Sequence, residues 1–415
     1  MIKKFLCYLL IFLGIIPVFV NASENYEAKV DDNYYMSLEE AIANATSGDT
    51  IVLTSNEILE ETLLINKIVN IDLNGKSISA PSKVFQVEGG TLNLIGEGTI
   101  KETEPNYGAI MVIGSTDPSN SSYSVVNVGK NVKLEGWSGI FITHNNKKSY
   151  GVEINLSGKI NAIDDTSGGS GAGVYVNGTI QDQNNHPVVN ILDGAKITSS
   201  GNGLYIAGYS TFNIGKAYIS GKESAIGIKS GTLNINGATI ICTGEDTTPT
   251  EGYNNGIKSS GTAIQIESNN GYAGDIKLNI NSGTITSKHS NVIYEYIGKG
   301  SDSQVESISI SGGNFRSEDN KEVFSLSNSL KEKHPKFISG GKYSSNPNQY
   351  LKADYTTTLD NDLYTVVKST MKEIFFNNKD SNNNTLKIII TLVIVATLGI
   401  IIYLNRTKLS NLLSK

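Results

Sequence analysis

A short apolar phrase with a polar centre recurs along most of the chain. It consists of an apolar residue, Asn and another apolar residue, and Ile308-Ser309-Ile310 is a weaker version of it. The clear occurrences are Leu92-Asn93-Leu94, Val126-Asn127-Val128, Ile154-Asn155-Leu156, Val189-Asn190-Ile191, Phe212-Asn213-Ile214, Leu233-Asn234-Ile235 and Leu278-Asn279-Ile280. Alternation at period two is typical of a strand that buries one face. The recurrence therefore predicts a repeat architecture rather than one globular core.

Two further short strands follow most of these phrases. Ala238-Thr239-Ile240 is typical of the second strand, and the third strand alternates apolar and other residues again. The third strands are Val84-Phe85-Gln86-Val87, Ile110-Met111-Val112, Ile140-Phe141-Ile142, Val174-Tyr175-Val176, Leu204-Tyr205-Ile206, Ile226-Gly227-Ile228, Ile264-Gln265-Ile266 and Val323-Phe324-Ser325-Leu326. Three strands per turn with tight Gly or Asn corners predict an all-β parallel β-helix solenoid of about ten coils. Polar runs at 115–122, 144–150, 164–171, 182–187 and 245–260 are predicted to be protruding loops.

A solenoid exposes strand edges and core at both ends, so each end needs a cover. Ser37-Leu38-Glu39-Glu40 fits a capping box, and apolar residues at helical spacing continue towards Gly48. A short N-terminal capping helix is therefore predicted from Ser37 to Ala45. The segment from Phe337 to Val367 is predicted to be an irregular C-terminal cap.

The two ends of the chain carry hydrophobic segments. Lys3 and Lys4 precede an apolar run that ends near Val20-Asn21-Ala22, which predicts a secretory signal peptide. The run 386–404 is long enough for a transmembrane helix, and Arg406, Lys408 and Lys415 follow it. The positive tail is expected in the cytoplasm, so we expect a single-pass protein of the cell membrane with an extracellular N-terminal ectodomain.

These features predict seven segments. They are a signal peptide at 1–22, an N-terminal cap at 23–50, the parallel β-helix at 51–335, a C-terminal cap at 336–368, a juxtamembrane linker at 369–385, the transmembrane helix at 386–404 and a cytoplasmic tail at 405–415. After signal cleavage Cys242 is the one remaining cysteine, so the ectodomain is expected to rely on hydrogen bonds and stacked core rather than on disulfides.

The charge of the chain limits its partners. The formal net charge is −6, and removal of the six basic residues of the signal peptide, membrane span and tail leaves 28 basic and 40 acidic residues, or −12. An acidic surface repels polyanions, so nucleic acid and acidic glycans are disfavoured as ligands.

Both ends of the repeat resemble a known superfamily. The segment from Tyr35-Met36-Ser37-Leu38 through Ser47-Gly48-Asp49-Thr50 to Ile71-Asp72-Leu73-Asn74-Gly75 resembles the opening of right-handed parallel β-helix proteins of the pectin-lyase-like superfamily. Phe337-Ile338-Ser339-Gly340-Gly341-Lys342-Tyr343, with Tyr350, is similar to the closing coil of many bacterial surface proteins of that kind. The resemblance covers about residues 31 to 367. It implies a right-handed β-helix in the cell envelope, and it implies no particular activity because the superfamily includes lyases, hydrolases and adhesin-like proteins.

The sequence offers few groups for catalysis or metal binding. Asp164-Asp165 is the best carboxylate pair for a general acid and base, but before Thr166-Ser167-Gly168-Gly169 it suits a turn better. The four histidines, His144, His186, His289 and His334, show no metal-ligand spacing. Calcium at Asp164 and Asp165, or at Glu245 and Asp246, would lack the ligand spacing of an EF-hand. We therefore predict no catalytic residues, no metal site and no cofactor.

Two rows of side chains remain as binding candidates. The Asn row of the first strands is expected to form an amide ladder that stabilises the stack. Phe141, Tyr175 and Tyr205 occupy the outward position of three consecutive third strands, and Trp137 lies just before them. Such rings either bind sugars and proteins or stabilise one another as a cross-strand ladder. We take Trp137, Phe141, Tyr175 and Tyr205 as the candidate ligand-binding residues.

The expected function is that of a membrane-anchored extracellular β-helix protein that binds without catalysis. An adhesin-like protein for a neutral glycan, or for a protein of a host or neighbouring cell, is the leading interpretation. A polysaccharide lyase or glycoside hydrolase that uses Asp164 and Asp165 is one alternative, and a passive structural component of the envelope is another.

Overall fold

The computed structural model describes residues 26–114, 122–143, 151–247, 250–252, 256–258, 261–298, 302–369, 394–403 and 406. Within them the protein is all-β, with long parallel sheets and a few short helices. The predicted signal peptide and the loops 115–121 and 144–150 lie outside the described residues.

The strands belong to three sets, and each repeat of the chain contributes one strand to the first set, then one to the second and one to the third. The first set is β3 (Thr50–Leu53), β6 (Ile68–Asp72), β9 (Thr91–Ile95), β12 (Ser124–Val128), β15 (Val152–Leu156), β18 (Val188–Ile191), β21 (Thr211–Ile214), the first halves of β24 (Gly231–Cys242) and β28 (Ile276–Ser287), and β30 (Val305–Ile310). The second set is β4 (Glu57–Ile58), β7 (Lys76–Ala80), β10 (Gly98–Glu102), β13 (Val132–Gly136), β16 (Lys159–Ala162), β19 (Lys196–Ser199), β22 (Tyr218–Gly221), the second halves of β24 and β28, β31 (Asn314–Ser317) and β33 (Lys342–Tyr343).

The third set forms a sheet of its own, with ten strands in the described part of the chain. They are β5 (Leu63–Ile65), β8 (Phe85–Glu88), β11 (Ile110–Ile113), β14 (Ser138–Thr143), β17 (Ala172–Val176), β20 (Asn202–Ile206), β23 (Ser224–Ile228), β27 (Ile264–Ser268), β29 (Ile293–Ile297) and β32 (Phe324–Ser325). The remaining strands are β1 (Ala28–Val30), β2 (Asn33–Tyr35), β34 (Tyr355–Asp360), β35 (Leu363–Lys368) and the hairpin of β25 (Thr250–Gly252) and β26 (Gly256–Lys258).

Apart from the strands at the two ends of each set, each strand pairs in parallel with the strand of the same set one repeat earlier and one repeat later. Thus β15 pairs with β12 and β18, and β17 pairs with β14 and β20. The predicted parallel arrangement is confirmed, and it is compatible with a β-helix-like solenoid. Apolar side chains alternate with polar ones as predicted, and one core of buried residues extends from Ala28 to Val366.

The amides of the first set form the predicted ladder. Asn93, Asn127, Asn155, Asn190, Asn213, Asn234 and Asn279 each donate from Nδ2 to Oδ1 of the preceding Asn, over 2.6 to 3.0 Å. Asn70 is the first member, and its Nδ2 donates to the carbonyl oxygen of Gly48. Every repeat in this row is therefore tied to the next by a side-chain bond in addition to its backbone bonds.

The N-terminal end is covered as the sequence predicts. Helix α1 (Leu38–Asn44) begins after Ser37, whose Oγ accepts a hydrogen bond from the backbone N–H of Glu40 at 3.1 Å. The backbone N–H of Leu38 donates to Oε1 of the buried Glu57 at 2.8 Å. Burial and the neighbouring Glu27 carboxyl raise the pKa of Glu57 to about 7, although the N–H of Leu38 acts in the opposite direction. Next to the helix, β1 pairs antiparallel with β3 and with β2.

The C-terminal end differs from the irregular cap that we predicted. Helix α2 (Asn328–Lys333) and a 3-10 turn (Asn348–Tyr350) precede a regular hairpin in which β34 and β35 pair antiparallel. β35 also pairs antiparallel with β33 and so closes the sheet. The two-residue turn of this hairpin, Asn361 and Asp362, has positive φ at both residues, as a type I′ turn requires.

The predicted transmembrane segment 386–404 is only partly described. Residues 394–403 are helical, and residues 386–393 lie outside the described residues. No helix within the described residues combines the length and the apolar character that crossing a membrane requires.

Candidate functional site

The predicted aromatic row exists. Phe141 pairs in register with Tyr175, and Tyr175 pairs with Tyr205, because β14, β17 and β20 are consecutive parallel strands. The rings are stacked, with centroids 4.8 Å apart for Phe141 and Tyr175 and 4.5 Å apart for Tyr175 and Tyr205. Trp137 joins them, 5.4 Å from Tyr175 between ring centroids. The four residues that the sequence singled out therefore form one cluster.

The rings of this aromatic cluster are not exposed, as stacking of a ligand on their faces would require. All four side chains are buried, with 4% to 9% of their surface exposed. Burial raises the pKa of Tyr175 to about 12 and that of Tyr205 well above its ordinary value. The rings therefore act as a second hydrophobic core on the outer side of the sheet. A role of these residues in ligand binding stays a prediction.

Residues from distant corners cover the aromatic cluster. The Tyr107 ring meets the Phe141 ring edge-on at 6.3 Å. The buried carboxylate of Glu102 holds this corner, since it accepts hydrogen bonds from the backbone N–H groups of Asn106, Tyr107 and Trp137 over 2.9 to 3.0 Å. Trp137 Nε1 has no hydrogen-bond partner among the described residues.

A buried ion pair closes the other end of the cluster. Lys229 Nζ lies 2.9 Å from Glu267 Oε2, and both side chains are at most 3% exposed. The ammonium group also lies 4.9 Å from the Tyr205 ring centroid and 4.7 Å from the Tyr272 ring centroid, and it donates to Tyr272 Oη at 3.2 Å. Glu267 Oε1 accepts a hydrogen bond from Asn269 Nδ2 at 3.2 Å. The corner 269–275 is thereby fastened onto the aromatic cluster.

The carboxylate pair considered for catalysis belongs to a turn. Asp165 Oδ1 accepts hydrogen bonds from the backbone N–H groups of Ser167 and Gly169 and from Ser167 Oγ, over 2.7 to 2.8 Å. Slight burial opposes ionisation, but these hydrogen bonds outweigh it and lower the pKa of Asp165. In the described part of the chain no Lys or Arg forms a salt bridge with either Asp164 or Asp165. The turn interpretation is confirmed for Asp165.

The described histidines are dispersed. His289 pairs with Asp319 at 2.9 Å, which raises the pKa of the imidazole. His334 Nε2 lies 2.9 Å from the carbonyl oxygen of Val305. His144 is outside the described residues. Among the residues that the structure describes, no group of three or more His, Cys, Asp or Glu side chains could hold a metal ion.

A polar groove that the sequence did not predict lies where the third set of strands turns into the first. The corners at 207–210 and 229–230 are short, whereas the corners on either side, 177–187 and 269–275, are longer. The two short corners leave a gap between two longer ones. The result is a pocket of about 260 Å³ lined by Gln183, His186, Tyr209, Ser210, Thr211, Gly231, Thr232, Asp275, Lys277 and Glu306. We call this pocket the corner groove.

The floor of the corner groove is a register column of three outward side chains. Thr211 pairs with Thr232, and Thr232 pairs with Lys277, on successive parallel strands. Neighbouring parallel strands lie about 4.8 Å apart, so the three polar ends form a regular row.

One wall of the groove is held rigidly. The imidazole of His186 lies between the carbonyl oxygen of Gln183, 2.7 Å from Nδ1, and Thr211 Oγ1, 3.0 Å from Nε2. Gln183 Nε2 donates to Tyr209 Oη at 2.5 Å. Tyr209 also packs against Gly274, where an added Cβ would lie 2.3 Å from the ring. Gly274 adopts φ +97°, so both the backbone conformation and the contact require glycine.

The opposite wall carries the charges. Lys277 Nζ lies 3.0 Å from Glu306 Oε2, so this ammonium group has a carboxylate of its own. Asp275 is exposed, and none of the described residues donates a hydrogen bond or forms an ion pair with its carboxylate. Among Asp275, Lys277 and Glu306, one negative charge is left unmatched. A neutral ligand rich in hydroxyl groups suits this lining better than an anion does.

Comparison with known proteins gives no further guidance. No protein-family model matches the chain, and neither a curated protein nor a solved structure is significantly similar to it. The resemblance to the pectin-lyase-like superfamily therefore stays a prediction. What defines the class of this protein is the repeated parallel all-β architecture, and what defines its candidate site is the corner groove.

Proposed function

We propose that this protein is displayed on the cell surface by a C-terminal membrane anchor and binds a neutral glycan without catalysing a reaction. The binding body is a right-handed parallel β-helix of about ten coils. The predicted secretion signal and the hydrophobic segment 386–404 support the location, and the acidic charge of the predicted ectodomain supports the preference for an uncharged ligand. The single observation that carries the proposal is the corner groove, whose lining offers many hydroxyl, amide and carboxylate groups and little net charge.

Sugar recognition needs such a lining because each hydroxyl group of a sugar both donates and accepts hydrogen bonds. Thr232 provides a hydroxyl, Gln183 an amide and Asp275 a carboxylate, all within one pocket. The Tyr209 ring provides a flat apolar surface beside them. In the groove the His186 imidazole is held between Gln183 and Thr211, and Lys277 is paired with Glu306, so we interpret the groove as a binding site rather than as a site of bond cleavage.

The proposal is tested with the full-length chain, purified in a detergent without a sugar headgroup and applied to a glycan array. We expect binding to one or more neutral glycans, and at least a tenfold loss for Thr232→Tyr, which fills the floor of the groove. The matched control is Thr239→Tyr. Thr239 is an outward residue of the same strand β24, next to Tyr218 on the neighbouring strand. An array without any neutral glycan signal, or equal binding by Thr232→Tyr, would contradict the proposal.

A passive structural role in the envelope is the second candidate. The observation that favours it is the amide ladder from Asn70 to Asn279. In this ladder an outward row of side chains stabilises the stack and is not available to bind a ligand. This role predicts a blank array together with altered packing of the cell surface when the protein is deleted. Glycan binding that depends on Thr232 would exclude a purely passive role.

A further inference from the structure

The size and shape of the corner groove limit what it can hold. A volume of about 260 Å³ is slightly below the range of about 300 to 1,000 Å³ that is usual for small-molecule sites. The longer corners 177–187 and 269–275 flank the two short corners along the direction in which the strands stack. They would obstruct a polymer that follows this direction, so we expect the groove to take one ring at the end of a glycan chain.

Asp275 and Lys277 point to the same side of the chain. Ile276 between them is fully buried, so its neighbours at i and i+2 point to the outer side together. A carboxylate only accepts hydrogen bonds, and an ammonium group only donates them. Two adjacent hydroxyl groups of a sugar can therefore both donate to Asp275, while the oxygen of one of them accepts from Lys277.

None of the described residues pairs with the carboxylate of Asp275, whereas the backbone of Asp275 is fixed. The backbone N–H of Gly231 donates to the carbonyl oxygen of Asp275 at 2.9 Å, and Ser230 Oγ donates to the carbonyl oxygen of Ala273 at 2.5 Å. Three residues before Asp275, Tyr272 is held by Lys229. A binding group on a fixed backbone loses little entropy when the ligand arrives.

From this geometry we infer that the corner groove binds a single uncharged hexopyranose unit at the end of a glycan, and that Asp275 recognises two adjacent hydroxyl groups of that unit. The inference rests on the proposed function and adds the ligand class and the recognising residue. A sugar acid is rejected, because its carboxylate would face Asp275 and Glu306 without an unmatched cation.

The test uses the full-length chain and saturation-transfer NMR with the methyl glycosides of glucose, galactose and mannose. The acidic probe is the methyl glycoside of glucuronic acid with its carboxylate free, here called methyl glucuronide. At least one neutral glycoside is expected to bind, and methyl glucuronide is expected to bind at least tenfold more weakly. Asp275→Asn keeps the size of the side chain and is expected to lower the affinity at least tenfold. Asp360→Asn, at an exposed position of β34, is the matched control and is expected to bind like the unaltered chain.

The possible outcomes separate this inference from the proposed function. If no methyl glycoside binds while the array shows neutral oligosaccharides, the single-unit inference is overturned and the proposed function stands. The same holds if Asp275→Asn binds as well as the unaltered chain or if methyl glucuronide binds best. A blank array overturns both.

Discussion

Lys229 and Glu267 form a buried ion pair on the outside of the sheet, with Nζ and Oε2 only 2.9 Å apart. Among the described residues Glu267 Oε2 accepts no aligned hydrogen bond, so the contact is an ionic one. Removal of one partner would leave the other as an uncompensated buried charge, which costs about 3 to 5 kcal/mol.

Lys229→Met is therefore expected to lower the free energy of unfolding by about 3 to 5 kcal/mol, measured by urea denaturation. The double variant with Glu267→Met is expected to recover most of this loss, because both charges are then gone. Lys321→Met is the control, since Lys321 pairs with Asp246 at the surface and its loss should cost less than about 1 kcal/mol. A loss for Lys229→Met as small as that of the control would show that the pair is not buried in solution.

The amide ladder predicts a graded effect of alanine substitutions. Asn155 donates to Asn127 and accepts from Asn190, so Asn155→Ala breaks two ladder bonds. At about 0.5 to 1.5 kcal/mol for each bond, the free energy of unfolding should fall by about 1 to 3 kcal/mol. Asn279→Ala breaks one ladder bond, to Asn234, and should cost about half as much. Equal urea midpoints for both variants and the unaltered chain would contradict a stabilising ladder.

The raised pKa of Glu57 predicts that the free energy of unfolding decreases with rising pH near neutrality. Its folded-state pKa of about 7 lies above the ordinary 4.5, so the folded protein binds a proton that the unfolded chain releases. The resulting stability is complete below pH 4.5 and is lost as the pH rises towards 7, by about 1 to 3 kcal/mol. Glu57→Gln keeps the acceptor for Leu38 and cannot titrate. Its urea midpoint should change less between pH 4.5 and 8 than that of the unaltered chain, and an identical slope would exclude Glu57 as the source.

The aromatic cluster predicts that the ring of Tyr175 matters more than its hydroxyl group. Tyr175→Ala removes a buried ring that stacks on Phe141 and Tyr205, at a cost of about 3 to 5 kcal/mol. Tyr175→Phe keeps the ring and should stay within about 1.5 kcal/mol of the unaltered chain. On the glycan array Tyr175→Phe should bind normally, because the groove lies elsewhere. A selective loss of binding by this folded variant would place the ligand at the aromatic cluster instead.

Much of the fold follows from the local pattern of the sequence. The period of two and the recurrence of Asn127 and its counterparts are enough to predict parallel stacking and an amide ladder, because register alone brings like residues together. The same reasoning places Tyr175 beside Tyr205. Helix α1 is equally local, since Ser37 and the apolar spacing after it define both its start and its buried face.

The features that the sequence pattern missed depend on residues far apart in the chain. Tyr107 covers Phe141, and Lys229 and Tyr272 cover Tyr205. These covering residues lie in corners, and the strand pattern does not predict the path of a corner. The corner groove was missed because Thr232 and Asp275 are ordinary polar residues when taken singly. A comparison of corner lengths would have revealed it, since two short corners follow the long one at 177–187 and precede the long one at 269–275.

The antiparallel pairing of β1 and β35 has a consequence for how copies of this protein can associate. A parallel stack grows when it receives another strand of the same direction, with evenly spaced and slanted hydrogen bonds. At one end β1 runs against β3, and at the other end β35 runs against β33. Copies placed head to tail cannot extend the parallel ladder at β3 or at β33, because β1 and β35 already occupy those two strand edges. At these two strands the parallel ladder therefore ends within one molecule.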